Sequence, residues 1–318
     1  MVVRWRMAWQ ERSNALLELG SECLERKEFK EAEAHFYEAL EEQLSHDPSR
    51  DSLSLMRQMA AFHLGQFGEN RELADQLSKG ERLMDAAEAL GERLGEWQML
   101  AEQQLLRGRQ MQALQLDSAA RPCFERAVAV AGAHPEVPPG VGVVARVLLA
   151  QYEEDDGKAV QLFETAVQIA RKTVSFKNEE SMELLGNACL MWAKHEAAKE
   201  RFEKAAGLAK AASDLFADDL ESQLGAKSLL LHSLSMADKV SEVKKLCDDL
   251  ISLQDCESPQ MPDILIMVSL ALHAQGDEAR AQEVLAIARE LRGSEDPDGT
   301  LEHTQKVLNE TSKKKNKD

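Results

Sequence analysis

Few residues in the chain have the types and the spacing that catalysis or metal binding requires. His195 and Glu196 open the zinc-protease pattern His-Glu-x-x-His, but the second histidine is missing, and a charged helix face explains both residues. Gly140 and Gly142 are too few for a dinucleotide-binding loop and follow no predicted strand. No phosphate-binding loop, nucleophile elbow or distinct carboxylate pair occurs. We therefore predict that the protein is not an enzyme and has no cofactor and no metal site.

The cysteines indicate a reducing environment. Their number, five, is odd, and no two of them form a Cys-x-x-Cys motif, so a disulfide framework does not fit. Cys23 and Cys189 occupy equivalent positions of the repeats described below, where a thiol acts as a small apolar side chain. This usage predicts a cytoplasmic protein.

The charge of the chain excludes several classes of partner. Lys and Arg number 38 against 56 Asp and Glu, which gives a formal net charge of −18. Such a field repels nucleic-acid phosphates and anionic lipid, so we predict no nucleic-acid ligand. No stretch reaches the ~18 apolar residues of a membrane span. The terminal lysines, which are Lys313, Lys314, Lys315 and Lys317, form either a solvated tail or a tag for nuclear import or an acidic partner.

The apolar residues are spaced for helices throughout the chain. Glycine (17) and proline (8) are scarce, and aromatic residues make up only 5% of a chain that is 44% hydrophobic. This composition favours helices packed through Ala and Leu over sheets that are rich in aromatic and β-branched residues. The predicted fold class is all-α.

The segment 179–212 predicts a hairpin of two helices. Its first helix has an apolar stripe and a glycine that admits the second helix, namely Met182, Leu185, Gly186 and Cys189. Its second helix has small residues on either side of one large ring, namely Ala198, Phe202 and Ala205. We expect Phe202 to fill the gap between neighbouring helices. One hairpin cannot bury both stripes, so it must stack on others.

The same small-aromatic-small signature returns along the chain. It occurs at Ala32/Phe36/Ala39, Ala120/Phe124/Ala127 and Ala159/Phe163/Ala166, with a leucine version at Ala281/Leu285/Ala288. Residues 53–95 and 219–253 keep helical periodicity but lack the signature, so we count them as two degenerate units. About seven hairpins therefore fit in the chain.

This arrangement resembles the tetratricopeptide-repeat family. The Leu-Gly pair of the family's first helix is matched at Leu19-Gly20 and Leu185-Gly186, and its small and aromatic positions are matched by the signatures above. The resemblance implies a right-handed superhelical solenoid of about seven antiparallel helix hairpins. Successive signatures in the middle of the chain lie 39 residues apart rather than 34, which is similar to the lengthened repeats of kinesin light chains.

The chain divides into segments on the same grounds. Residues 1–12 form a helical cap or extension, and 13–295 form the repeat domain. Within that domain the proline-rich stretch around 132–140 marks either a long loop or a bend between halves. Residues 296–310 form a capping helix, and 311–318 form a disordered, lysine-rich tail.

The resemblance implies protein recognition in a concave groove that the first helices line. The lining positions lie three before, one after and four after the glycine place, which gives Leu105, Arg109, Gln112, Val144, Leu148, Gln151, Glu183, Asn187, Leu190, Ile266, Leu270 and His273. Asn187 matches an asparagine with which many relatives hold the backbone of a ligand. The family's two-carboxylate clamp does not carry over, because Leu17 and Ser21 stand where it needs Lys and Asn.

Two functions remain open on this basis. The protein is a scaffold or adaptor that binds a peptide or helix of another protein in the groove, or it is a structural subunit embedded in a larger assembly. A further alternative for the apolar lining residues is that the superhelix coils tightly and buries them. The identity of the partner and the oligomeric state stay open.

Overall fold

The computed structural model describes residues 2–69, 72, 74–174, 179–216, 218–293, 296 and 299–315, and gives no side-chain detail for residues 2–8 and 310–315. All regular secondary structure within these residues is helical. The predicted all-α class is confirmed. Contacts divide the chain into two compact units, and the sequence boundary between them lies after Tyr152.

The first unit contains seven helices among its described residues. They are α1 (Val2–Glu25), α2 (Phe29–His46), α3 (Arg50–Glu69), α4 (Ala74–Leu94), α5 (Trp97–Ala113), α6 (Asp117–Ala133) and α7 (Pro139–Gln151). Three hairpins are formed by α1 with α2, α3 with α4, and α5 with α6. The segment 1–12, predicted as a cap or extension, is continuous with α1 from Val2 onward. The proline-rich stretch separates α6 from α7, and Pro139 begins α7, where its missing N–H costs no helical hydrogen bond.

The second unit contains eight helices among its described residues. They are α8 (Asp156–Thr173), α9 (Glu179–Ala198), α10 (Phe202–Leu215), α11 (Leu220–Met236), α12 (Val240–Ile251), α13 (Met261–Ala274), α14 (Glu278–Arg292) and α15 (Thr300–Lys315). Here α9 pairs with α10, α11 with α12, and α13 with α14. The last helix buries Leu301 and Leu308 against α13 and α14. It continues past 310, where the sequence analysis ended it, and the tail residues 316–318 lie outside the described residues.

A glycine on the first helix lets the second helix approach closely in two hairpins of the first unit. A Cβ built on Gly20 would lie 2.7 Å from Cε1 of Phe36, and one built on Gly108 would lie 2.4 Å from Cε1 of Phe124. Carbon atoms in van der Waals contact need about 3.5 Å or more, so only glycine fits at these places. The predicted pairing of glycine with the aromatic residue of the signature is therefore present in both hairpins.

A residue in the left-handed backbone conformation sets the register of five hairpins. The φ angles are positive at Lys27, Gln115, Glu200, Asp238 and Gly276, one in each turn between paired helices. Gly20 and Gly108 stand seven residues before such a residue, and Phe36 and Phe124 stand nine after it. In the other three hairpins, the equivalent positions of the two helices are found by counting seven residues before and nine residues after the left-handed residue.

This register corrects the predicted hairpin at 179–212. The first helix continues to Ala198, which is exposed, and Phe202 only begins α10 and is half-buried. The signature positions of α10 are instead filled by alanine at Ala205, Ala209 and Ala212, all fully buried. Phe202 therefore does not fill the gap between helices, and its ring lies 6.0 Å from that of His232. Gly186 does meet a ring, but it is that of Phe216.

The two degenerate units fill the same positions with other residues. In α12 the positions are occupied by Val243, Cys247 and Leu250, which are all buried. In the hairpin of α3 and α4 the sizes are exchanged, because Leu64 stands on the first helix and Gly80 on the second. A Cβ built on Gly80 would lie 2.8 Å from Cγ of Leu64. Both units thus keep the close approach of two helices without the predicted residue types.

Candidate functional site

The first helices of the second unit share an exposed face. In α9, α11 and α13 the places seven residues before the left-handed turn residue are Ala193, Leu231 and Ser269, and all three are buried. The residues that directly follow them, Lys194, His232 and Leu270, are exposed. Since α11 contacts both α9 and α13, these exposed residues lie on neighbouring helices. Rotation of 100° per residue therefore separates a packed side of each helix from an open side.

We call this open side the α9–α11–α13 face. On each helix its residues fall within an arc of about 120°, and none of them is buried; they are Leu190, Met191, Lys194, Ser228, Leu229, His232, Met236, Met267, Leu270 and His273. Six of the ten are Leu or Met. Met236 is 56% exposed and Leu270 is 37% exposed. The face is thus apolar, with one ammonium group and two imidazoles.

The open side also carries carboxylates, beyond the ten residues of the face and toward the ends of the three helices. Near the amino ends of the three helices stand Glu183, Glu221 and Asp263. The Glu221 carboxylate accepts a hydrogen bond from the side-chain amide of Gln260 at 2.6 Å, and the Asp263 carboxylate pairs with Arg292 at 2.5 Å. The turns at the other end carry Glu200, Asp238 and Asp277.

The predicted lining residues of the first unit are all at least partly open to the surface. Leu105, Gln112, Val144 and Leu148 are half-buried, while Arg109 and Gln151 are exposed. The Gln151 side chain donates to the backbone carbonyl of Val147 at 3.4 Å. These six residues lie on α5 and α7, which contact each other.

The predicted lining residues of the second unit are only partly retained in the face. Leu190, Leu270 and His273 belong to it, and the shielded Nδ1 of His273 has no hydrogen-bond partner among the described residues. Ile266 is wrong as a surface residue, because it is only 3% exposed and lies in the apolar core.

Glu183 and Asn187 are exposed on α9 but lie one to two turns closer to its amino end than the corrected register requires. The residue directly after the packed place of α9 is Lys194, so the match of Asn187 to the family's asparagine is lost. Met191, Met236 and Met267 were not among the predicted lining residues. Counting back from the hairpin turn identifies them, but the turn at Glu200 contains no glycine or proline that would reveal it.

Glu196 is not part of a charged helix face, as the sequence suggested, because its side chain is fully buried. Its carboxylate accepts a hydrogen bond from Nε1 of Trp192 at 2.7 Å, lies 3.0 Å from Nζ of Lys204, and is bound by Arg201. Burial acts to raise the pKa of Glu196, but the hydrogen bonds from Arg201, Lys204 and Trp192 outweigh it and lower the pKa. The group is a buried anion with a complete set of partners.

Arg201 also joins this group to α8. Its Nη1 lies 2.7 Å from Oδ2 of Asp156, and Nε2 of His195 lies 2.9 Å from Oδ1 of the same carboxylate. The hydrogen bonds from Arg201 and then His195 lower the pKa of Asp156 to about 2. His195, Glu196 and Arg201 therefore tie α8, α9 and α10 together.

The buried thiols are unsuited to nucleophilic chemistry. All five cysteines are free, and each except Cys256 is buried. Burial raises the pKa of Cys123 and Cys189, and it raises that of Cys247 to about 11. A thiol with a raised pKa carries little reactive thiolate at neutral pH.

Two absences hold for the described part of the chain. No three His, Cys, Asp or Glu side chains there are arranged to hold a metal ion. No helix there combines the length and the apolar character needed to cross a bilayer.

Neither a protein-family model nor a curated protein matches the chain. Among solved structures, a signal transduction ATPase with numerous domains from Pyrococcus horikoshii, which has a tetratricopeptide-repeat sensor, matches 94% of this chain at a TM-score of 0.63 and 15% identity. The chain has a tetratricopeptide-repeat-like fold. The predicted resemblance is confirmed at this level. This chain spans 44% of that protein, which is less than half of its length.

Two further structures match with lower TM-scores. Tetratricopeptide-like repeats of a putative kinesin light chain from Podospora anserina cover 62% of this chain and 97% of their own at 20% identity, with a TM-score of 0.48. The TPR2AB domain of yeast Sti1, solved as a complex with pHSP90, covers 95% of this chain and 99% of its own at 14% identity and a TM-score of 0.36. At these TM-scores neither match adds evidence about this chain.

Proposed function

We propose that the protein is a non-catalytic interaction scaffold and that the α9–α11–α13 face of its second unit binds a segment of another protein. The observation that carries this proposal is the exposure of Met236 and Leu270 on an apolar face, in a fold that buries most of its large apolar residues. Apolar surface on a soluble protein is favourable only when something covers it, and contiguous exposed patches mark binding surfaces. Methionine suits such a surface because its unbranched, polarizable side chain adapts to a partner.

The half-buried and exposed residues of α5 and α7 form a second proposed surface, within the first unit. Leu105, Val144 and Leu148 supply apolar area there, and Arg109, Gln112 and Gln151 supply hydrogen-bond donors. We assign this surface the same class of ligand, a segment of a partner protein. The free, mostly buried thiols support our assignment of the protein to a reducing compartment, the cytoplasm.

A substitution on the face tests the proposal. Leu270→Glu introduces a carboxylate that a partner must desolvate, so we expect it to weaken partner binding by at least about 1–2 kcal/mol, roughly tenfold. The matched control is Leu291→Glu, because Leu291 is 47% exposed on α14, outside the face. Affinity purification with quantitative mass spectrometry compares the two variants with the unchanged chain.

We expect Leu270→Glu to lose partners that both the unchanged chain and Leu291→Glu retain. If both variants retain every partner, the face is not the binding surface. If Leu270→Glu lowers the melting temperature strongly, the face is buried rather than open. Size-exclusion chromatography distinguishes an adaptor from a structural subunit of a larger assembly. A structural subunit elutes only within its assembly, whereas an adaptor also elutes as a free chain.

A further inference from the structure

We propose that a cleft between α2 and α4 in the first unit binds an arginine side chain of a partner protein. We call it the α2–α4 cleft. It also reaches the turn that joins α1 to α2 and the carboxyl end of α3, and its volume of about 880 Å³ is in the range of binding sites. It shares no residue with the two surfaces of the proposed function, so each can be tested without the other.

One side of α2 forms the first wall of this cleft. Phe29, Glu33 and Tyr37 follow one another at intervals of four residues and therefore share a side of the helix. Phe36 lies on another side, where it packs against Gly20. Phe29 is 47% exposed and Tyr37 is 36% exposed, so a ligand can reach both rings. This wall therefore offers aromatic faces on which a planar group can stack.

Contacts from α3 and α4 hold this wall in place. The hydroxyl of Tyr37 lies 3.4 Å from Nε2 of His63, and Nδ1 of His63 lies 2.6 Å from Oε1 of Gln76. His63 is fully buried, so its ring links α2 to α4 inside the unit. The ring of Phe29 packs on that of Phe62, with 6.1 Å between their centroids. The cleft is thus formed without a ligand, which reduces the entropy that binding must overcome.

The charge of the cleft favours a cation. Five carboxylates and three ammonium groups line it, which gives a formal charge of −2. Two of the carboxylates are already paired, because Glu33 lies 2.6 Å from Nζ of Lys79 and Glu28 lies 3.7 Å from Arg26. The other three are exposed and have no ion-pair partner among the described residues; they are Glu31, Glu69 and Asp75.

Two groups of the cleft respond to this charge. The hydrogen bond from Lys79 to Glu33 raises the pKa of Lys79, so the ammonium form is favoured. Burial raises the pKa of Tyr37, and the Glu33 carboxylate adds to that effect. Positive charge is therefore stabilised beside this wall, and negative charge is opposed.

The free carboxylates and the free ammonium groups belong to different elements. Lys27 and Lys30 lie in the turn before α2 and at the start of α2, whereas Glu69 ends α3 and Asp75 lies in the first turn of α4. We therefore place the cation of the ligand beside Glu69 and Asp75. Arginine fits better than lysine, because its planar guanidinium stacks on a ring such as Phe29 and also binds a carboxylate through two hydrogen bonds.

The test measures binding of labelled peptides to the full chain by fluorescence anisotropy. The peptides have about eight residues, at most about 28 Å when extended, with Gly and Leu at identical positions and with Arg, Lys or Glu at the two central ones. We expect the Arg peptide to bind more tightly than the Lys peptide and the Glu peptide not to bind. Asp75→Asn should weaken the Arg peptide about fivefold, because it removes a carboxylate of the cleft.

Two further variants complete the set. Phe29→Leu keeps apolar area but removes the ring, so it should also weaken the Arg peptide about fivefold. The matched control for Asp75→Asn is Asp51→Asn, because Asp51 is likewise exposed in the first turn of a helix of the first unit but does not line the cleft. Asp51→Asn should change the affinity little.

The outcomes separate this inference from the proposed function. Equal weakening by Asp75→Asn and Asp51→Asn would overturn it, because only the net charge would then matter. Binding that Phe29→Leu leaves unchanged, or no binding of the Arg peptide at about 1 mM, would overturn it too. Leu270→Glu should not affect the Arg peptide, and loss of binding with that variant would assign the peptide to the α9–α11–α13 face instead. A dimer that Phe29→Leu converts to a monomer would make a second copy of this chain the occupant and overturn the arginine ligand.

Discussion

At the scale of single residues, the close approach of two paired helices requires a small residue on one helix opposite a large side chain on the other. In one hairpin Gly108 of the first helix contacts the ring of Phe124 on the second helix. In another the order is reversed, because Leu64 lies on the first helix and Gly80 on the second. The small residue is required because the two backbones lie so close that one large side chain fills the whole space between them. The first arrangement was predictable from its residue types, a glycine followed by a small-aromatic-small signature. The second was not, because it depends on complementary sizes.

A first prediction concerns Gly108. We expect Gly108→Ala to destabilise the chain by about 1–3 kcal/mol, because the new Cβ overlaps the buried ring of Phe124 and forces one of the helices to shift. The control is Gly65→Ala, since a Cβ on Gly65 has no neighbour within 4 Å. There the gain in helix propensity should stabilise the chain by about 0.5–1 kcal/mol. Urea unfolding of both variants measures the two changes in the free energy of unfolding, which should have opposite signs. If Gly108→Ala leaves that free energy unchanged, the two helices do not approach as closely as described.

At the scale of helices, the predicted register of the hairpin at 179–212 is wrong for a simple geometric reason. The mistaken signature at Ala198, Phe202 and Ala205 precedes the observed one at Ala205, Ala209 and Ala212 by seven residues. Seven residues make almost two full helical turns, so both choices present the same face and helical periodicity cannot distinguish them. Only the position of the turn decides, and Glu200 adopts its positive φ without the glycine that normally signals it.

The same shift explains which site residues were predictable. In α5 and α13 the predicted places coincide with those counted from the turns at Gln115 and Gly276, so Leu105 and Leu270 were positioned correctly on their helices. In α9 the count was displaced, which brought in Asn187 and omitted Lys194. The burial of Ile266 is what the alternative of buried lining residues predicted for this position. Periodicity could not decide between the two, because burial here depends on how closely α13 packs against neighbouring helices.

A second prediction concerns the ion pairs that join α8, α9 and α10. The pKa of Asp156 is lowered to about 2 from an ordinary value of 3.8, so its carboxylate stabilises the folded chain above about pH 4. That contribution is lost as the pH falls from about 4 through 2, because both states then bind the proton. We expect Asp156→Asn to be less stable than the unchanged chain at pH 7, and the difference to disappear below pH 2.

Denaturant unfolding of the two chains across this pH range measures the difference. Asp85→Asn is the control, since Asp85 also pairs with an arginine, Arg107, but within the first unit and outside the group around Glu196. A gap between the Asp156→Asn variant and the unchanged chain that persists at pH 2 would show that the carboxylate acts through packing instead of charge.

At the scale of the whole molecule, the fold is an array in which successive hairpins repeat one geometry with different residues. The match to the Pyrococcus horikoshii structure at 15% identity and a TM-score of 0.63 illustrates how little of that geometry depends on particular side chains. Helix lengths, turn positions and the complementary sizes of facing side chains are sufficient to define the geometry of each hairpin. The repetition of helix hairpins was therefore predictable from periodicity alone, whereas the surface residues, which the repeat does not constrain, required the structure.

A third prediction follows from this modular arrangement. Phe163 is buried in α8, and its ring lies 6.4 Å from Trp192 and 5.4 Å from His195 of α9. We expect Phe163→Ala to leave a cavity and to cost about 3–5 kcal/mol. In an array where each hairpin contacts mainly its neighbours, the loss should lower amide hydrogen-exchange protection first in α8 and α9, while α13 and α14 keep theirs.

The matched variant is Phe202→Ala, which removes the same ring from a half-buried position at the start of α10. Because Phe202 fills no gap between paired helices, its loss should cost clearly less than that of Phe163 and leave the protection of α8 and α9 almost unchanged. Equal losses of stability would show that the register counted from Glu200 is wrong. A uniform fall in protection over all helices would show instead that the array unfolds as a single cooperative body, since local openings then have no lower free energy than global unfolding.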